Sequence, residues 1–276
     1  MVEEKPIKIF ISYAFEEGEK AGKLKEYLNW LGFECFLAHV DIKNGEIWRE
    51  SIDEELNHSD AFVPLLTESA LKSAWVHQES GIAHFLKRKK KNKFVIIPLC
   101  INNAPPPGCL EIYQARNLKE GWFFGVKITE EEARHIGLNI VEKLNRGSSH
   151  INYALENLTR AGISETEEIL EFLEALGGIT LDHLLIALKH GIERGAVAHS
   201  YRSMVIIEGW VKYYNEEVSP EWVTVWKKIK KKYQTIQEEE ARRTAETAAL
   251  IKASLENMNK PAENLNDNPL PETESQ

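Results

Sequence analysis

Residues 7–12 read IKIFIS, a short run dominated by β-branched and aromatic side chains and followed by a polar turn. Such a run predicts a buried strand. What comes next fixes its setting. Residues 19–32, EKAGKLKEYLNWLG, place Ala21, Leu24, Leu28 and Leu31 on one helical face and stop at Gly32. FECFL at 33–37 reads as a second strand, DAFVPLL at 60–66 as a third, KFVIIPLCI at 93–101 as a fourth and IYQARNL at 112–118 as a weaker fifth. A helix with Ile47, Trp48, Ile52 and Leu56 on one face precedes the third strand, and TESALKS at 67–73 reads as a loop after it. A helix over 129–145 closes the series, with a capping box from Thr129 to Glu132. Strands alternating with helices across short connections predict an α/β fold, a flavodoxin-like five-stranded parallel sheet covered on both faces. Ligands of such sheets bind beyond the carboxyl ends of the strands. The loops that begin at Tyr13, Ala38 and Thr67 then converge on the start of the helix at Ser73.

That helix opens SAWVHQESGIAHF, residues 73–85, and it carries an anomaly. Trp75, Ile82, Ala83 and Leu86 form an apolar stripe, but the position four residues after Trp75 is Glu79. A carboxylate there pairs with an arginine, reaches solvent at the helix edge, or faces a cleft. Trp75 by itself reads as a core residue, and beside Glu79 as a ring-stacking residue. His77 falls on another face and reads as a surface histidine. Gly81, in mid-helix, costs about 1 kcal/mol relative to alanine, and close packing is the expected reason.

The chain has 276 residues, 43% of them hydrophobic, and a net charge of −9. That is ample for real cores and argues against binding to DNA or to an anionic membrane. Cys35, Cys100 and Cys109 form no CxxC and no even framework, so a reducing cytoplasm is the expected location. No signal peptide and no membrane-length apolar run is expected. The sequence has no G-x-G-x-x-G after a strand, no phosphate-loop motif and no G-x-S-x-G elbow, and its histidines lack metal-ligand spacing; neither a metal nor a resident cofactor is expected. The run KRKKKNK, 87–93, complements a helix C-terminus and reads first as a solvated face, second as a phosphate- or partner-binding one.

RGSSH at 146–150 reads as a boundary, and everything beyond it as helical. SETEEILEFLEALGG carries a capping box from Ser164 to Glu167, and Pro220 separates a long aromatic helix from two further ones, WKKIKKKY lying in the first of these. The expected division is 1–147 for the α/β domain, 148–259 for an all-α oligomerisation or regulatory domain, and 260–276 for a disordered tail. Trp210, Tyr213, Tyr214, Trp222, Trp226 and Leu250 exceed what a thin bundle hides, which suggests a homo-oligomer.

IFISYA (9–14), DIKNGEIW (41–48) and SDAFVPLLTESALKSAWVHQES (59–80) resemble, in order and spacing, conserved boxes of Toll/interleukin-1 receptor (TIR) domains. The resemblance covers roughly residues 7–145. In many TIR domains a Trp is followed four residues later by the Glu that cleaves NAD, and Trp75 and Glu79 match that pattern. It implies Glu79 as catalytic residue and Tyr13, Ala14, Asp41, Gly45, Trp48, Ser73 and Trp75 around the substrate. It further implies NAD+ as substrate rather than cofactor, and homotypic TIR association through the BB loop. Many members carry an acid directly after the second strand, where this chain has Ala38. The alternative is a non-catalytic scaffold acting through TIR–TIR contacts.

Those residues suit that chemistry. Cleaving the bond between pyridinium and ribose releases neutral nicotinamide, so no general acid is needed. One carboxylate suffices to stabilise the ribosyl cation, half of the usual glycosidase pair.

Overall fold

The computed structural model describes residues 5–37, 48–118 and 128–258. Six parallel strand segments form the sheet: β1 Lys8–Ser12, β2 Glu34–Leu37, β3 Ala61–Leu66, β4 Val95–Ile96, β5 Leu99–Ile101 and β6 Arg116–Leu118. The order is β2-β1-β3-β5-β6, with β4 also on β3. The fourth strand of the sequence reading is therefore broken in two at Ile97–Pro98, because proline offers no N–H to a ladder. Its halves pair with successive parts of β3, Val95 opposite Ala61 and Leu99 opposite Leu65. Five strand positions in the flavodoxin-like order result.

The helices of this half are α1 Gly18–Trp30, α2 Trp48–His58, α3 Glu68–Lys72, α4 Ala74–Lys90 and α5 Glu130–Leu144. On one face of the sheet, Phe10, Phe62 and Phe94 join Val76, Ala83 and Leu86 of α4 and Ile52 and Leu56 of α2 in one cluster. Each such side chain contributes roughly 1.5–3 kcal/mol by leaving water. Two local expectations change. TESALKS holds a short helix, α3, because the Thr67 side chain accepts from the Ala70 N–H. A Cβ on Gly81 would meet nothing within 4 Å, so close packing does not explain that glycine.

Five further helices follow: α6 Gly147–Leu158, α7 Ile163–Leu176, α8 Leu181–Glu193, α9 Tyr201–Tyr213 and α10 Pro220–Met258. Residues 146–150 are the cap and first turn of α6 rather than a linker. The α7 cap is Gly162, not Ser164, and Glu167 instead accepts from the Ser200 hydroxyl at 2.5 Å. Beyond Pro220 a single helix of 39 residues replaces the two expected. Of the described residues, those up to Lys230 make one compact unit and those from Lys231 a second; the expected division after residue 147 falls inside the first.

Within the first unit a tight seam joins α6 and α7 to α1 and α5. Gly32 ends α1 at φ 91°, and a Cβ there would lie 2.6 Å from the Ala154 nitrogen. Asn157 donates to the carbonyls of Asn29 and Trp30 at 2.8 and 3.0 Å. These are among the last carbonyls of α1, for which the helix itself supplies no donors; Asn29 also accepts from the Gly32 N–H just past the helix end. Arg134 of α5 pairs with Glu168 and, at 2.6 Å, with Glu171 of α7.

Candidate functional site

The strand order reverses beside β1, with β2 on one side and β3 on the other, so the switch point lies at the carboxyl ends of β1 and β3. Ser12 is the last residue of β1 and stands opposite Pro64. Glu79 reaches it from α4. The Ser12 hydroxyl donates to Glu79 Oε2 at 2.5 Å, linking positions 67 apart in sequence. Glu79 is 2% exposed, and its Oε1 is buried with no hydrogen-bond partner. Burial raises its pKa from the ordinary 4.5 to about 7, and the Ser12 hydrogen bond works against that shift by favouring the charged form.

The remaining expected site residues divide by position. Tyr13 and Ala14 are buried directly after Ser12, Ala14 as part of the cluster under α4. Trp75 is half-buried one turn before Glu79 on the same helix. Ser73 is the α4 cap, its side chain accepting from the Val76 N–H at 3.4 Å. Trp48 begins α2; its side chain lies outside what the structure describes, as do Ala38, Asp41 and Gly45 altogether. His77 meets the Leu71 carbonyl at 2.8 Å and so ties α4 to α3.

Sequence reasoning missed Ser12. The signal available was its place, the polar last residue of an apolar strand at the sheet end where ligands bind. One arrangement thus holds Ser12, Glu79 and the adjacent Trp75: a carboxylate kept out of water, half-satisfied, at the switch point of a parallel sheet. Dry surroundings strengthen its attraction for positive charge.

By fold and site this is an α/β protein of the doubly wound kind with an acidic group at its ligand-binding end. The family model of the TIR domain matches residues 9–133, and the chain carries a TIR domain. Among solved structures, the TIR domains of the activated Roq1 resistosome, which directly recognises the pathogen effector XopQ, align over 62% of this chain and 99% of theirs. Identity there is 14% and the TM-score 0.34, too loose for any residue to be carried across. No match was found among curated proteins.

Proposed function

We propose that the chain is a TIR-type NAD+ glycohydrolase or ADP-ribosyl cyclase, with Glu79 as the catalytic residue. The observation that carries this reading is Glu79 itself, buried at the switch point with one oxygen on Ser12 and the other unpartnered. A structural carboxylate is normally paired on both oxygens. In the proposed reaction the bond from ribose C1′ to the nicotinamide nitrogen breaks, and its electron pair leaves with neutral nicotinamide. The ionised Glu79 stabilises the ribosyl cation through the unpartnered oxygen. Water adds to C1′ and loses a proton to give ADP-ribose, or the adenine base adds in its place to give a cyclic product. Trp75 stacks on a ring of the substrate.

Because Glu79 is 2% exposed, substrate reaches it only after local rearrangement at the sheet end. This supports activation by self-association, the helical half contributing to a homo-oligomer in the cytoplasm. Leu250, Ile251 and Leu255, exposed on α10, support an assembly role for that helix. A defence or signalling effector is the role this implies.

The test is incubation of concentrated full-length protein with NAD+, followed by chromatography for nicotinamide, ADP-ribose and cyclic isomers. Turnover by the wild type that is absent from Glu79→Gln supports the reading. Turnover by both removes Glu79 from the chemistry, and turnover by neither, at concentrations where the chain self-associates, favours the non-catalytic scaffold.

A further inference from the structure

The basic run at 87–93 begins on the last turn of α4, and Lys87 lies eight residues past Glu79, about 12 Å along the helix axis. It opens on a separate cleft of about 1000 Å³, counting the part open to solvent, beside β4. Its polar lining includes Lys87, Gln114, Arg116, His135, Asn139 and Lys143, with Tyr113 on one wall. The three permanent cations come from three elements, α4, β6 and α5, and among the described residues no carboxylate lines the cleft.

A solvated helix face does not account for this arrangement. Cations from positions 87, 116 and 143 are gathered around one hollow in a chain whose net charge is −9. Burial disfavours the charged form of Lys87, and Lys143 stands near enough to add to that effect. Lys87 Nζ gives two of its donors to the Lys91 and Phe94 carbonyls, at 2.9 and 2.7 Å, which leaves one. Arg116 Nε is buried without a hydrogen-bond partner. The nearby acids act from outside the cleft: Glu131 stands 3.7 Å from His135, and Glu132 interacts with Arg116 at longer range. Tyr113 already meets His84 Nδ1 at 3.0 Å, which fixes one wall. Converging donors, an unpartnered guanidinium nitrogen and mutually repelling lysines are relieved together by one compact ligand of at least two negative charges.

We propose that this cleft binds a phosphorylated small molecule, with Lys87, Arg116 and Lys143 on its phosphate oxygens. An acidic peptide fits less well, because the donors converge on one hollow instead of lying along a groove. The site is distinct from Glu79 and does not depend on NAD+ cleavage.

The experiment is calorimetric titration of the full-length chain with inorganic pyrophosphate and with AMP at physiological salt. Binding of either probe, weakened at least about tenfold by Lys143→Glu and by Arg116→Gln but unchanged by Glu79→Gln, is the expected result. Lys143 is exposed, so its variant tests the site without disturbing the core. Absence of heat for both probes up to about 10 mM overturns the proposal. So does equal displacement by sulfate or a glutamate-rich peptide, or loss of binding in Glu79→Gln alone, which places the probe at the carboxylate.

Discussion

Among the described residues, Glu79 and His150 are the two buried groups with a large pKa shift, and they sit in very different company. Each has one atom bonded and one unpartnered: Glu79 Oε2 accepts from Ser12, and His150 Nε2 donates to the Leu31 carbonyl at 2.9 Å. Burial raises Glu79 to about 7 and lowers His150 to about 4, so both are driven toward neutrality. His150 is walled by aromatic rings, with Phe33 at 4.2 Å and Phe172 at 5.8 Å between centroids. It packs the seam between α1 and α6 and satisfies a helix-terminal carbonyl on the way. Glu79 stands where strands end and ligands bind. The same desolvation is thus a packing compromise in one region and a store of reactivity in the other.

Replacing Glu79 separates the two most sharply. Glu79→Gln is expected to cut NAD+ cleavage by about two to three orders of magnitude, the usual cost of losing one electrostatic stabiliser. It is also expected to stabilise the fold. The folded pKa of about 7 lies above the ordinary 4.5, so as pH rises past 4.5 the unfolded chain ionises first. Stability falls until pH passes about 7, by roughly 3 kcal/mol in all. Denaturant melts should therefore favour the variant at pH 8 and show little difference at pH 4. An equal or lower stability at pH 8 breaks the comparison.

His150 carries the opposite sign. Its folded pKa of about 4 lies below the ordinary 6.5, so the unfolded chain takes the proton first as pH falls. The seam should lose roughly 3 kcal/mol between pH 6.5 and 4. His150→Leu is expected to flatten that dependence while lowering stability near pH 7 by about 1–3 kcal/mol, since the Leu31 carbonyl loses its partner. A wild type whose stability changes between pH 7 and 4.5 no differently from that of His150→Leu would exclude a buried neutral histidine.

Ser12→Ala sharpens the reading of Glu79. The lost hydrogen bond favoured the charged form, so the acid limb of kcat/KM should move to higher pH, with activity recovering in alkaline buffer. A uniform loss across the pH range would instead mean that Ser12 only supports the fold. The smallest effect concerns Gly81. With open space where its Cβ would go, Gly81→Ala should stabilise α4 by about 1 kcal/mol. If KM for NAD+ rises in the same variant, the glycine serves close approach of a ligand.

Much of the fold was readable because its signals are local. Leu24 and Leu28 of α1 and Ile136 and Ile140 of α5 recur at helical spacing and are buried. IKIFIS became β1. Glu79 was visible as the acid that interrupts an apolar stripe. The expected cap at Ser164 is displaced because Gly162, two positions earlier, caps the helix, and RGSSH forms the cap and first turn of α6 because small polar residues serve there as readily as in a linker.

By itself, then, the sequence determined the alternation of strands and helices, the TIR-like boxes and the misplaced carboxylate. Each rests on residues a few positions apart, which side-chain periodicity senses directly. Only the tertiary structure decided that Ser12 holds Glu79, that Gly32 admits α6, that Pro98 splits the fourth strand into two pairings, and that Lys87, Arg116 and Lys143 share one hollow. Those meetings join positions far apart in sequence, and they depend on which strands are neighbours and which faces pack, a choice made by burial of the whole chain at once.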